Sequence, residues 1–131
     1  MVDILILEDD RLTRAILRTI LRTVGYTLAE ASDGQEGLEV VQAHQPRLVM
    51  ADLHMPGVDG LTFAQRLREL PFIAVPHLIF MSASIPPHLA DVGQRATLSK
   101  PFDMELLLAQ IAELIPQPSG LPALRELSRG A

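Results

Sequence analysis

Four positions in this chain carry groups that could do chemistry together. The acids Glu8, Asp9 and Asp10 follow a short apolar run, and Asp52 ends another. Ser82 closes a third run, and Lys100 follows a fourth. If those runs are neighbouring strands, Glu8, Asp9 and Asp52 share one rim. Carboxylates brought that close repel and raise each other's pKa unless something neutralises them. A hard divalent cation does so, and Mg²⁺, which keeps several waters, needs only one or two carboxylates. Asp52 can then be ligand and nucleophile at once, because an aspartate can form an acyl phosphate. The metal and the Lys100 ammonium would offset charge on a transferring phosphoryl group. The Ser82 hydroxyl can donate a hydrogen bond to one of its oxygens. On composition alone this is one reading among several.

The elements that must position these groups are legible as alternating patterns. Val2–Leu7 is a continuous β-type run, as for a strand buried on both faces. Arg11–Val24 has helical spacing, with Leu12, Ile16, Ile20 and Val24 recurring every fourth residue and Leu17 and Leu21 beside them. Gly25 stops it. Thr27–Ala31 reads as a weaker strand, and Asp33 caps a helix with Glu36 as the returning partner. That helix runs to about His44, before Pro46. Arg47–Asp52 is the third strand, and Asp59–Gly60 opens a helix lined by Phe63, Leu67 and Leu70. His77–Ser82 is the fourth strand, Pro86–Gln94 holds at most a short helix, and Leu98 lies in a short fifth strand. Asp103 caps a last helix to Ile115, with Met104, Leu107, Leu108, Ile111, Leu114 and Ile115 expected on its core side. Strands alternating with helices predict βα units wound on a parallel sheet, whose sites lie beyond the carboxyl ends of the strands. The polar residues above all fall there.

Composition excludes several classes. The chain has 131 residues, enough for one domain. With 11 Lys and Arg against 16 Asp and Glu, its formal charge is −5, so neither nucleic acid nor a membrane surface is an expected partner. It has no cysteine, which removes disulfides, thiolate metal sites and thiol nucleophiles. The opening MVDILILEDD lacks the basic region of a signal peptide, and no apolar stretch reaches the ~18 residues of a membrane span. A cytoplasmic location is the default expectation.

The motifs ILILEDD with Arg14 following, LVMADLHMPGVDG, IFMSAS and LSKPF stand in order, each at the end of an expected strand. Together they resemble the receiver domains of two-component response regulators, from about Val2 to Ile115. The resemblance implies a flavodoxin-like, doubly wound α/β fold with a five-stranded parallel sheet in the order 2-1-3-4-5. It implies Asp52 as phosphoacceptor, and Glu8 and Asp9 as the acidic pair, with Asp9 the more direct Mg²⁺ ligand. The His54 backbone carbonyl would complete the coordination, and Met55–Pro56–Gly57 would form the turn after the acceptor. Ser82 would follow the phosphoryl group, Lys100 would bind it, and the Lys100–Pro101 bond would be cis. The phosphodonor would be a histidine kinase or a histidine phosphotransfer protein, and the output an unknown downstream protein. The chain would be a signalling domain with slow autophosphatase activity, not an enzyme acting on an external substrate.

Two departures from the family pattern stand out. Thr97 occupies the place of a usual aromatic residue, three before the lysine. The segment between Ser82 and Lys100 is about one helical turn short, so a shortened or irregular fourth helical segment is expected, with an ordering of residues 84–96 as the readout of phosphorylation. Residues 1–116 read as the receiver unit and 117–131 as a tail without an output domain. Leu121, Leu124 and Leu127 in that tail could form a short packed helix or contact a second copy in a homodimer. Arg11, Arg14, Arg18 and Arg22 share a face of the first helix, either solvated or a docking surface for the phosphodonor. Asp10 reads as a helix cap, and the His54 side chain as solvent-facing. Two other functions fit less well. An Mg²⁺ phosphohydrolase typically needs a second acid at position 54, and a phosphorylation-independent pseudo-receiver would not need the full set of Glu8, Asp9, Asp52, Ser82 and Lys100.

Overall fold

The computed structural model describes residues 2–55, 57–71, 75–82, 95–100, 103–116 and 118, with backbone alone for 95–99. The elements in chain order are β1 (Ile4–Leu7), α1 (Arg11–Val24), β2 (Leu28–Ala31), α2 (Gly34–His44) and β3 (Leu48–Asp52). α3 (Gly60–Arg68), β4 (His77–Ser82), β5 (Arg95–Ser99) and α4 (Met104–Leu114) complete them. The five strands pair in parallel in the order β2-β1-β3-β4-β5, as expected. The order reverses between β1 and β3, so the carboxyl ends of these two strands open a crevice.

Strand periodicity sorts the apolar side chains into two layers. Leu5, Leu7, Val49, Ala51, Leu78 and Phe80 face α2 and α3, meeting Leu38, Val41, Phe63 and Leu67. Ile4, Ile6, Leu48, Met50, Ile79 and Met81 face α1 and α4, meeting Leu17, Leu21, Leu107, Ile111 and Ile115. This two-sided burial is why β1, β3 and β4 read as unbroken apolar runs.

Side-chain caps set the helix starts. Asp10 Oδ2 accepts from Thr13 N at 2.8 Å, Asp33 Oδ1 from Glu36 N at 2.8 Å, and Asp59 Oδ1 from Thr62 N at 2.8 Å. Asp103 caps α4 through the Glu105 and Leu106 amides. α1 ends at Gly25, whose φ of 111° only glycine adopts without strain.

The apolar spacing of α1 left its inward face open, and one expectation, Met104 on the core side of α4, is corrected. On α1 the inward stripe is Leu17 and Leu21 with Val24 beside them, while Leu12 is 69% and Ile16 47% exposed. The helix carries apolar residues on more than one side; Leu17 and Leu21 pack into the core, and Arg14 and Arg18 pair with Glu30 of the edge strand β2. On α4, Met104 is 53% exposed although it shares the helical spacing of the buried residues. It sits in the first turn, beyond the end of the sheet. The expected irregular helical segment at 86–94, residues 84–94 of the expected ordering segment, the tail 117–131 apart from Pro118 and with Leu121, Leu124 and Leu127, and the Lys100–Pro101 bond lie outside the described residues. So does the Thr97 side chain, although the Thr97 backbone pairs with Phe80.

Candidate functional site

The crevice holds the residues singled out above. β1 and β3 pair in register through Leu7 and Ala51, so Glu8 and Asp52, each the next residue, leave the sheet side by side. Glu8 is fully buried and Asp52 is 5% exposed, whereas Asp9 is exposed. One carboxylate oxygen from each of Glu8, Asp9 and Asp52 falls within 4.8 Å of the others. Lys100 reaches in from the end of β5, with its Nζ 2.6 Å from Glu8 Oε1 and 3.2 Å from Asp52 Oδ2. Its own N–H donates to the Ser82 carbonyl at 2.8 Å, which ties the lysine to the end of β4. Ser82 is buried and lies one residue past Met81, the register partner of Asp52.

The electrostatics are those of a site short of positive charge. Burial, then the Asp52 carboxylate beside it, pushes the Glu8 carboxyl up to about 7 despite the opposing pull of Lys100. Burial acts in the same sense on Asp52 but is overcome. Hydrogen bonds from the Glu8 carboxyl, the His54 amide and Lys100 hold Asp52 below the usual carboxylate range. Burial likewise lowers Lys100, but its contacts with Glu8 and Asp52 prevail and raise it. Of the two buried acids, Glu8 is thus the one that holds its proton more tightly and Asp52 the one that gives it up more readily. An exchangeable cation beside three carboxylate oxygens would replace that proton, and the all-oxygen donor set suits Mg²⁺.

The other expected residues fall around this core. The His54 amide donates to Asp52 Oδ1 at 3.0 Å, fixing the carboxylate, while its exposed side chain is not among the clustered ligand groups. Asp10 caps α1, and its amide lies 3.3 Å from Glu8 Oε2. The four arginines of α1 do not form one face of free charge. Arg14 donates to the Glu8 carbonyl at 2.8 Å and pairs with Glu30, and Arg18 also pairs with Glu30.

The sequence placed Arg14 after the ILILEDD motif and on the arginine face of α1, but not as a brace under Glu8. A spacing of six residues across a strand–turn–helix junction was the available signal. Gly60 is a second omission. A methyl added there would lie 2.5 Å from the Asp52 carbonyl oxygen, so the start of α3 can touch β3 only as glycine.

Comparison with known proteins agrees with this geometry. The family model described as a response regulator receiver domain matches residues 4–112. The response regulator MprA of Mycolicibacterium vanbaalenii is 35% identical over 118 residues, 87% of this chain and 50% of that protein. The chain spans about half the length of the curated relatives it matches. Among solved structures, the chemotaxis protein CheY4 of Vibrio cholerae shares the fold with a TM-score of 0.79 at 24% identity, over 87% of this chain and 98% of that one. The receiver domain of Saccharomyces cerevisiae Ssk1, crystallised with the histidine phosphotransfer protein Ypd1, matches with a TM-score of 0.76 at 24% identity, over 86% of this chain and 88% of that one. Likeness at that identity speaks for the fold alone, and it is the match along 4–112, together with the relatedness to MprA, by which this chain belongs to the family of response regulator receiver domains.

Proposed function

We propose that Asp52 is the phosphoacceptor of this domain and that Glu8, Asp9, Asp52 and the His54 carbonyl hold Mg²⁺ beside it. The observation that carries this reading is the Lys100 ammonium, shared between the buried Glu8 and Asp52 carboxylates. The attacking oxygen belongs to Asp52. A new P–O bond forms there as the donor's P–N bond, or the P–O bond of a small acyl phosphate, breaks. When bound there, Mg²⁺ would supply charge neutralisation at the phosphoryl oxygens. Lys100 moves its contact from Asp52 to the incoming phosphoryl oxygens, and Ser82, one register step along β4, donates its hydroxyl to another. Slow hydrolysis, with water attacking phosphorus and releasing inorganic phosphate, would restore the carboxylate.

The phosphodonor is a histidine kinase or histidine phosphotransfer protein that docks at the crevice mouth. The exposed Leu12 and Ile16 on α1 support this, as does Met104 in the first turn of α4, whose helix packs on the same side of the sheet. The receiver unit covers residues 1–116, with 117–131 as its tail. Among the described residues no helix is long and apolar enough to cross a membrane, and we place the domain in the cytoplasm with its kinase's transmitter region. A phosphorylation-independent pseudo-receiver would have no use for Lys100 held between the Glu8 and Asp52 carboxylates.

Incubation with acetyl phosphate tests the reading. Labelling is expected with Mg²⁺, and neither without it nor in Asp52→Asn, while Asp10→Asn labels normally. Full labelling of Asp52→Asn would overturn the assignment, and rapid turnover of a small phosphate ester would favour a phosphohydrolase.

A further inference from the structure

The loop between β3 and α3 leaves the sheet at Asp52 and comes back to it at Gly60. Its first residues are tied down. Leu53 N donates to the Met81 carbonyl at 2.9 Å, His54 N donates to Asp52 Oδ1 at 3.0 Å, and Leu53 and Met55 are buried in the core that faces α2 and α3. Its tip is open, since a methyl added at Gly57 would meet nothing within 4 Å. Its return is tight in two places. At Gly60 an added methyl would lie 2.5 Å from the Asp52 carbonyl oxygen and 3.2 Å from Leu53 Cα. At Gly34, the first residue of α2, an added methyl would overlap Val58 Cγ1 and lie 2.5 Å from the Val58 carbonyl oxygen. Both obstacles include backbone, which cannot rotate aside as a side-chain end can.

We propose that Gly60 and Gly34 are positioning residues for the metal site. Gly60 sets the distance between the acceptor strand and the start of α3. Gly34 presses α2 against Val58, four residues after His54. Between them they fix the loop that carries the His54 carbonyl relative to the Asp52 carboxylate. Neither glycine touches metal or phosphoryl group. The inference rests on the reading of Glu8, Asp9 and Asp52 as a metal site.

The size of the effect follows from the contact distance. Carbon–oxygen contacts settle at roughly 3.3–3.6 Å. A methyl at position 60 must therefore drive α3 and the Asp52 backbone apart by about 1 Å. Displacements of that size in positioning elements cost about a hundredfold in chemistry that depends on alignment, and outer-shell changes cost about 10–100-fold in metal affinity.

The test is a Mg²⁺ titration of the folded proteins followed by NMR, with thermal unfolding measured on the same samples. Gly60→Ala is expected to bind Mg²⁺ at least about tenfold more weakly than the parent chain, and Gly34→Ala about three- to tenfold more weakly. Adding Val58→Ala to Gly34→Ala removes the Cγ1 obstacle and leaves the Val58 carbonyl oxygen and Cβ at 2.5 and 2.6 Å, so it should recover a small part of the affinity. Gly37→Ala is the control for crowding alone. Its methyl would lie 2.9 Å from Leu7 Cδ1, a movable side-chain end in the core, so stability should fall while Mg²⁺ affinity stays within about twofold.

Folded Gly60→Ala and Gly34→Ala that bind Mg²⁺ like the parent would overturn the inference and leave the metal site standing. So would equal loss of affinity in Gly37→Ala. Should Gly60→Ala fail to fold, Gly34→Ala and its Val58→Ala partner decide alone. A parent chain that binds no Mg²⁺ would overturn the metal site itself and this inference with it.

Discussion

The two ends of strand β1 carry buried carboxylates with opposite fates. At the amino end, Asp3 is 2% exposed and accepts hydrogen bonds from Arg47 Nη1 at 3.1 Å and Thr27 N at 3.0 Å. Its neighbours complete a seam. Asp3 N meets the Thr27 hydroxyl at 2.9 Å, Arg47 N meets the Asp3 carbonyl, and His77 N meets the Arg47 carbonyl. At the carboxyl end, Glu8 shares Lys100 with Asp52 while Asp9 stands exposed beside them. One rim is matched charge for charge by groups the fold itself supplies. The other places three carboxylates around one ammonium, so an additional cation has a purpose there. A buried acid marks a functional site only when its neighbours leave it under-compensated.

Substitutions should separate the two rims. Asp9→Ala removes the proposed direct ligand, and it should weaken Mg²⁺ binding by tens of fold, more than Glu8→Ala does. A metal titration giving the reverse order would assign the direct ligand to Glu8. Asp3→Ala should leave Mg²⁺ affinity within about twofold but cost about 2 kcal/mol of stability. That lies below the figure for a fully buried pair because Arg47 is partly in water. Denaturant unfolding measures it, and a change in Mg²⁺ affinity instead would erase the distinction between the rims.

The rims should also differ in their response to pH. Glu8 is held up at about 7 against its ordinary 4.5, so the folded metal-free chain keeps a proton that the unfolded chain releases. Its contribution to stability is therefore full below about pH 4.5 and is lost as pH rises through about 7. Asp52 is shifted the other way, so its contribution is lost only in acid, below the ordinary carboxylate range. Mg²⁺ competes with the Glu8 proton. The rise in Tm on adding saturating Mg²⁺ should accordingly be several degrees at pH 8 and much smaller at pH 5.5. Equal shifts at both values would place the metal away from Glu8. The smallest change in metal binding is expected for Lys100→Ala, with affinity unchanged or slightly tighter as a competing cation is removed, even though the response to phosphorylation is impaired. Collapse of Mg²⁺ binding in this variant would make Lys100 a structural prop.

The carboxyl-end rim was legible in the sequence because each of its members ends or follows an apolar run, and a parallel sheet carries all such positions to one side. The seam around Asp3 was not. Asp3 lies inside what reads as the β1 run, and its partners Thr27 and Arg47 meet it only through strand pairing. The rotation of α1 was hidden for a similar reason. Leu12 and Ile16 fit an inward stripe as well as Leu17 and Leu21 do, and only packing against residues of other elements shows which pair meets the sheet. The closeness of Gly60 to Asp52 is a contact between backbones, which side-chain patterning does not register.

The most direct test of the account is to find where the phosphoryl group goes. Reductive trapping with borohydride after acetyl phosphate treatment converts an acyl phosphate to the corresponding alcohol, which peptide mass mapping then locates. A single modified residue, Asp52, is expected, formed with Mg²⁺ and absent without it. Modification at Glu8, Asp9 or any other carboxylate, or an Asp52 product formed equally well without Mg²⁺, would contradict it.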